Sequence, residues 1–205
     1  FAATNITDAN LTITQTAQVR FNPIPAPTFC GFDDIDAGGS HNLSVKNDGT
    51  VWAVGRNDLG QLGDNTTTEK HTAVEVSGLT DVIDVSANNI NSMALKNDGT
   101  VWTWGHNASG QLGIGSTIDQ IVPIQVPGLT NMTSVSLGEN HALALRNDGT
   151  VWAWGANNLG QLGDGTFNQR NSPIQILGLS NVIAISAGAE FSMALKEDGT
   201  VWTWG

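Results

Sequence analysis

The sequence has one cysteine, Cys30, no tyrosine, and only 13% charged residues. A lone cysteine closes no intrachain disulfide and supplies no cysteine-based zinc or redox motif, which leaves the compartment open. Positive charge is scarce: eight Lys and Arg stand against nineteen Asp and Glu, for a net charge of −11. A chain of this sign is repelled by a phosphate backbone, which argues against nucleic acid as a direct partner. No run approaches the ~20 apolar residues of a membrane helix, so helical membrane insertion is not expected. The chain starts at Phe1 without a Met or a signal-like segment, and its natural start, with any targeting information, is expected upstream.

What is present points to an all-β protein. Hydrophobic residues make up 40% of the chain, and it carries 24 Gly and seven Trp with many Thr, Val, Ile and Asn, a mixture suited to short twisted strands and tight turns. One pattern organises it. Asn47-Asp48-Gly49-Thr50, Asn97-Asp98-Gly99-Thr100, Asn147-Asp148-Gly149-Thr150 and Glu197-Asp198-Gly199-Thr200 recur every 50 residues, each followed by Val-Trp-x-x-Gly. The first three continue into Asn-x-x-Gly-Gln-Leu-Gly, at 57–63, 107–113 and 157–163.

Each unit reads as four strands. Val82 to Ala87 is rich in β-branched residues, and Ser92 to Lys96 alternates large and small side chains. Asn-Asp-Gly supplies the positive φ of a tight hairpin. Thr100 to Gly105 returns as a third strand with Trp102 and Trp104 on one face, and Pro123 to Val126 forms a fourth at an edge, where a missing N–H does least harm. Four short antiparallel strands amount to one propeller blade, which buries its faces only by stacking on neighbours. Trp52, Trp102, Trp152 and Trp202 are expected to fill those interfaces.

These motifs closely resemble the regulator of chromosome condensation repeat family: an apolar strand, Gly-x-x-His, a second apolar strand, Asp-Gly-x-Val-x-x-Trp-Gly and Gly-Gln-Leu-Gly. Gly38-Gly39-Ser40-His41 and Gly138-Glu139-Asn140-His141 carry the Gly-x-x-His element, while Asn91 and Phe191 replace its His in the other units. The resemblance implies a seven-bladed β-propeller, which would need about 350 residues. This chain holds units 32–80, 81–130 and 131–180 and an incomplete unit 181–205, about three and a half blades. Residues 1–31 read as the end of a preceding β-rich module of the kind found in bacterial surface proteins, as a linker, or as a ring-closing strand. The first of these readings favours a location outside the cell or at its surface, while the composition leaves the compartment open.

No catalytic constellation emerges, and an enzyme is not expected. His41 and His141 occupy a repeat position that also takes Asn and Phe, which fits a structural histidine bonded to loop backbone. Asp48, Asp98, Asp148 and Asp198 are turn formers. The Asp33, Asp34 and Asp36 cluster matches no calcium loop and reads as a solvated loop. Gly-Gln-Leu-Gly lacks the Lys and the helix of a phosphate-binding loop. No metal and no cofactor is assigned.

Identity among the units marks what every blade needs, so divergence marks freedom to serve a partner. In an antiparallel blade the loops after strands 1 and 3 emerge on one face, and the variable segments fall there. Ser40, His41, Asn89, Ile90, Ile118, Glu139, Asn140, Phe167, Glu190 and Phe191 are the candidate partner-binding residues, with Ile90, Phe191, Phe167 and Ile118 as apolar anchors. The expected function is a non-catalytic scaffold for a protein partner. The resemblance also implies two alternatives, nucleotide exchange on a small GTPase, for which no residue of this chain can be matched, or an inhibitor propeller; loops carrying Trp, Asn and Asp leave a carbohydrate-binding module as a further one.

Overall fold

A computed structural model describes residues 31–205; the readings of residues 1–30 as a module end, linker or closing strand lie outside the described residues. Fifteen strands and no helix are found in the described residues. Blade 1 comprises β1 (Phe32–Ala37), β2 (His41–Lys46), β3 (Val51–Gly55) and β4 (Lys70–Glu75). Blade 2 comprises β5 (Val82–Ala87), β6 (Asn91–Lys96), β7 (Val101–Gly105) and β8 (Gln120–Gln125). Blade 3 comprises β9 (Met132–Leu137), β10 (His141–Arg146), β11 (Val151–Gly155) and β12 (Arg170–Gln175). Blade 4 has β13 (Val182–Ala187), β14 (Ser192–Lys196) and β15 (Val201–Trp204). Every sheet is antiparallel in simple sequential order, which makes the chain a stretch of β-propeller about three and a half blades long.

The hairpin between strands 2 and 3 of each blade differs from a turn with two positive φ angles. Only Gly49 is left-handed, at φ 77°, and its N–H bonds to Lys46 O at 2.8 Å, so a type I turn ends on a glycine bulge. The Asp48 carboxylate accepts from both the N–H (3.0 Å) and the hydroxyl (2.6 Å) of Thr50. The Thr50 hydroxyl above all holds that carboxyl below its ordinary range. The fourth strand also starts earlier than its proline. β8 begins at Gln120, and Pro123 sits where the register with β7 shifts, so its missing N–H interrupts no ladder bond.

First strands pack against first strands, β1 on β5, β5 on β9 and β9 on β13, so they line the inside of the ring while the fourth strands lie at the periphery. The core is three clusters, one per seam between consecutive blades. The first joins Leu43, Val45 and Leu62 of blade 1 to Val85, Ala94 and Trp104 of blade 2.

The tryptophan expectation holds in part: Trp102 and Trp152 pack against the seam clusters, but they are not the rings buried deepest there. Trp104 and Trp154 are fully buried, whereas Trp52, Trp102 and Trp152 are half-buried and Trp202 is exposed. The Trp that follows the Val of each third strand lies under a cation from the neighbouring strand, with Lys46 Nζ 3.6 Å from the Trp52 ring centre and Arg146 4.6 Å from that of Trp152. Burying one such indole is worth at most about 4–6 kcal/mol, so the second tryptophans weigh most at the seams.

Candidate protein-binding face

The loops after the first strands meet one another across the blades. Gly39 N–H donates to Asn88 O at 3.2 Å, Asn88 Nδ2 to Gly138 O at 2.5 Å, and Glu139 N–H to Ala189 O at 3.1 Å. Ser40 Oγ reaches Asn89 Oδ1 at 3.2 Å and Gln111 Nε2 reaches Asn140 Oδ1 at 3.4 Å. Ser40, Asn89, Glu139 and Glu190 thus stand exposed on a continuous inner rim, with Asn140 and Ile90 half-buried among them.

Farther out on the same face are the loops after the third strands, each built around a buried asparagine. Asn57 Oδ1 accepts from Leu62 N–H at 2.9 Å, while its Nδ2 donates to Asp64 Oδ1 and Thr66 O, both at 3.0 Å. Blade 3 repeats this with Asn157 and Asp164. Partial burial alone would raise the Asp164 carboxyl, but hydrogen bonds from Thr166, Arg170 and Asn157 bring it down to about 2. Blade 2 has Ile114 in place of that Asp. There Asp119 takes over, accepting from Asn107 N–H at 2.7 Å and lying 3.2 Å from His106 Nδ1. From these braced loops Ile118 and Phe167 project with 70% and 72% exposure.

Gly-Gln-Leu-Gly is a clasp on the next blade. The main-chain oxygen of Gln61 accepts from Trp104 Nε1 at 2.8 Å and from Ser92 Oγ at 2.7 Å. Ser92 Oγ also meets His41 Nε2 at 2.7 Å. The same relay joins His141 to Ser192 (2.9 Å) and Ser192 to Gln161 O (2.8 Å).

These contacts correct two of the candidates. His41 is 2% exposed and His141 fully buried; each is structural, but its partner is a serine of the following blade and not loop backbone. A ring so enclosed is not offered to a partner, so His41 leaves the binding set. Phe191 occupies the same repeat position as His41, Asn91 and His141, all inside a seam. Its 51% exposure arises because no further blade lies against it among the described residues.

The acidic cluster is likewise not a loop. Asp34 and Asp36 lie on β1 and point their carboxylates at the next first strand, accepting from Val85 N–H (2.9 Å) and Ala87 N–H (2.8 Å). Ser86 accepts from Leu137 N–H (3.1 Å) and Ser136 from Ala187 N–H (3.0 Å). Side chains therefore satisfy inner-edge amides that no neighbouring strand pairs. Asp84 continues the row. Its burial, and then the charge of Asp34, push its carboxyl up to about 6, against the hydrogen bond from Val135 N–H. No group of three or more His, Cys, Asp or Glu able to hold a metal is found among the described residues.

The RCC1-like domain family matches residues 7–205. The chain belongs to this family. Human WBSCR16 resembles it with a TM-score of 0.75 and 25% identity over 85% of this chain and 47% of that one. Yeast RCC1 (Prp20), solved bound to Kap60, gives 0.74 and 26% over 85% and 43%. Prp20p from Saccharomyces cerevisiae, studied for its binding to Gsp1p and histones, gives 0.73 and 27% over 85% and 44%. This chain thus spans less than half the length of each. No curated protein matches it.

Within this RCC1-like propeller the structure gathers Ser40, Asn89, Ile90, Glu139, Asn140 and Glu190 on the inner rim, and puts Ile118 and Phe167 on the outer loops of the same face. Sequence reasoning missed the seam residues Gln61, Ser92 and Asp84. A signal for one of them was available: a unit with His at the loop end is followed by Ser one unit on (His41 and Ser92, His141 and Ser192), and a unit with Asn by Ala (Asn91 and Ala142).

Proposed function

We propose that this propeller is a non-catalytic scaffold that binds a protein partner on the face bearing the loops after strands 1 and 3. One observation carries the reading. Ile118 and Phe167 stand exposed on loops braced by the hydrogen bonds of Asn107 and Asn157, at positions where the other units have Thr68 and Asn168, or Thr67 and Thr117. Rigidly braced loops with isolated apolar tips beside a polar rim suit a protein surface, since little ordering entropy is lost on contact. The resemblance to Prp20, solved with a bound protein, supports a protein partner.

The test is capture from host extract by the full chain, with Ile118→Ser/Phe167→Ser compared against Leu177→Ser on the opposite face. Loss with the first variant alone, at unchanged thermal stability, supports the reading; equal capture by both contradicts it.

Nucleotide exchange on a small GTPase is the second reading, favoured by the resemblance to Prp20p, which was studied with Gsp1p. Accelerated release of a fluorescent guanine nucleotide from a host GTPase would establish it.

A further inference from the structure

Three seams join the four blades, and their chemistry differs. At the outer two, between blades 1 and 2 and between blades 3 and 4, a histidine, a serine and a carbonyl stand in line. The serine proton is committed to the carbonyl, so the hydroxyl oxygen accepts from the imidazole, which fixes the Nε2–H tautomer and leaves Nδ1 bare. Nδ1 of His41 and of His141 is buried without a hydrogen-bond partner among the described residues. A proton can add only there, where it creates a buried cation with no acceptor.

The middle seam has Asn91 and Ala142 at these positions. Asn91 turns its amide to His106 O within its own blade, and neither residue titrates. That seam carries Asp84 instead, whose carboxylate accepts from Val135 N–H of blade 3.

We propose that acid opens the two outer seams while the middle seam stays closed, so that blades 2 and 3 persist as a unit. The groups facing each histidine leave this outcome intact. Around His41, β1 presents Asp36, which draws a proton toward the ring but is already engaged with the Ala87 and Ala37 amides. β4 presents Lys70, paired to Asp64 at 3.4 Å, and His71. Blade 2 presents Ser92 and the neutral Asn88 and Asn89. Around His141, Ser136 stands where blade 1 has Asp36, Arg170 is tied to Asp164 at 2.7 Å, and blade 4 presents Ser192 and Gly188.

The titrations run in opposite directions. Burial holds both imidazoles at about 4, below the ordinary 6.5. Their contribution is therefore present above pH 6.5 and lost as pH falls through 4. Asp84 is raised from 3.8 to about 6, so its contribution is present below pH 3.8 and lost as pH rises through 6. Acid loosens the outer seams and relieves the middle one. Between pH 7.5 and 4.5 the opening equilibrium of each outer seam should rise roughly 70-fold.

Amide hydrogen exchange on the full chain at these two pH values, corrected for intrinsic exchange, reads each seam separately. Asn65 N–H (to Ile121 O) reports the first seam, Gly115 (to Asn171 O) and Leu137 the middle one, and Ala187 and Glu139 the third. The proposal expects acid-enhanced exchange at the outer seams only. In His41→Asn/Ser92→Ala, which installs the middle seam's own pair, the first seam should lose its acid response while the third keeps it. Equal opening of the middle seam in the native chain, or an unchanged first-seam response in the variant, would overturn the proposal. If the variant fails to fold, the comparison of seams within the native chain decides alone.

Discussion

Trp104 donates its indole N–H to the main-chain oxygen of Gln61 at 2.8 Å across a blade boundary, and Trp154 with Gln111 and Trp204 with Gln161 repeat the bond at 2.9 Å. The glutamine of each pair lies in the loop that follows strand 3, the tryptophan in strand 3 of the next blade. One motif thus locks its successor in the repeat, and the same loop also holds the exposed tips that face a partner. Trp104→Phe removes the donor while keeping most of the apolar area. It should cost about 1–3 kcal/mol in chemical denaturation, whereas Trp52→Phe, whose N–H meets only Thr50 Oγ1 at 3.3 Å in a half-buried setting, should cost under about 1 kcal/mol.

Gly63 and Gly78 separate backbone strain from crowding. Both are left-handed, at φ 66° and 72°. A Cβ on Gly63 would lie 2.8 Å from Trp104 Nε1 and 2.9 Å from Val76 Cγ1, while one on Gly78 would meet nothing within 4 Å. Gly78→Ala should therefore cost about 1–2 kcal/mol from conformation alone. Gly63→Ala should cost clearly more, a difference that chemical denaturation of the two variants measures.

Asp84→Asn keeps an oxygen for the Val135 amide and removes a charge that the folded chain disfavours. It should stabilise the protein by about 1–2 kcal/mol above pH 6, after allowance for solvent screening of a partly exposed group, and have no effect below pH 3.8. Melting temperatures measured across that range check the sign.

The blades were legible in the sequence because each repeated residue answers a local demand: Gly49 for a left-handed angle, Val51 for the core, Asp48 for a turn. The seams were harder to read because their partners lie 43 or 51 residues apart and include main-chain atoms such as Gln61 O, which side-chain identity does not announce. The same reason explains the mistaken weight on Trp52. Strand periodicity puts Trp52 on the face that Trp102 and Trp104 share one unit later, and only packing against the preceding blade, as Trp104 packs on blade 1, distinguishes an enclosed ring from one capped by a cation such as Lys46. On the candidate face, divergence between units found the exposed tips Ile118 and Phe167, but it also flagged His41 and Phe191. That position varies because it is matched to its neighbour blade, which makes its divergence a consequence of packing.

His41 and Ser92 should accordingly be energetically coupled. Ser92→Ala strips the buried imidazole of its acceptor and should cost about 1–3 kcal/mol, with much of that recovered when His41→Asn is added. A double-mutant cycle in denaturant measures the coupling; additive costs would show that the two residues act independently.

Hydroxyl-radical footprinting of the full chain, alone and with its captured partner, tests the proposed binding face most directly. Ile118 and Phe167 should be protected in the complex while Leu177, exposed on the opposite face, keeps its reactivity. Protection of Leu177 with Ile118 and Phe167 unchanged would contradict the proposed scaffold face.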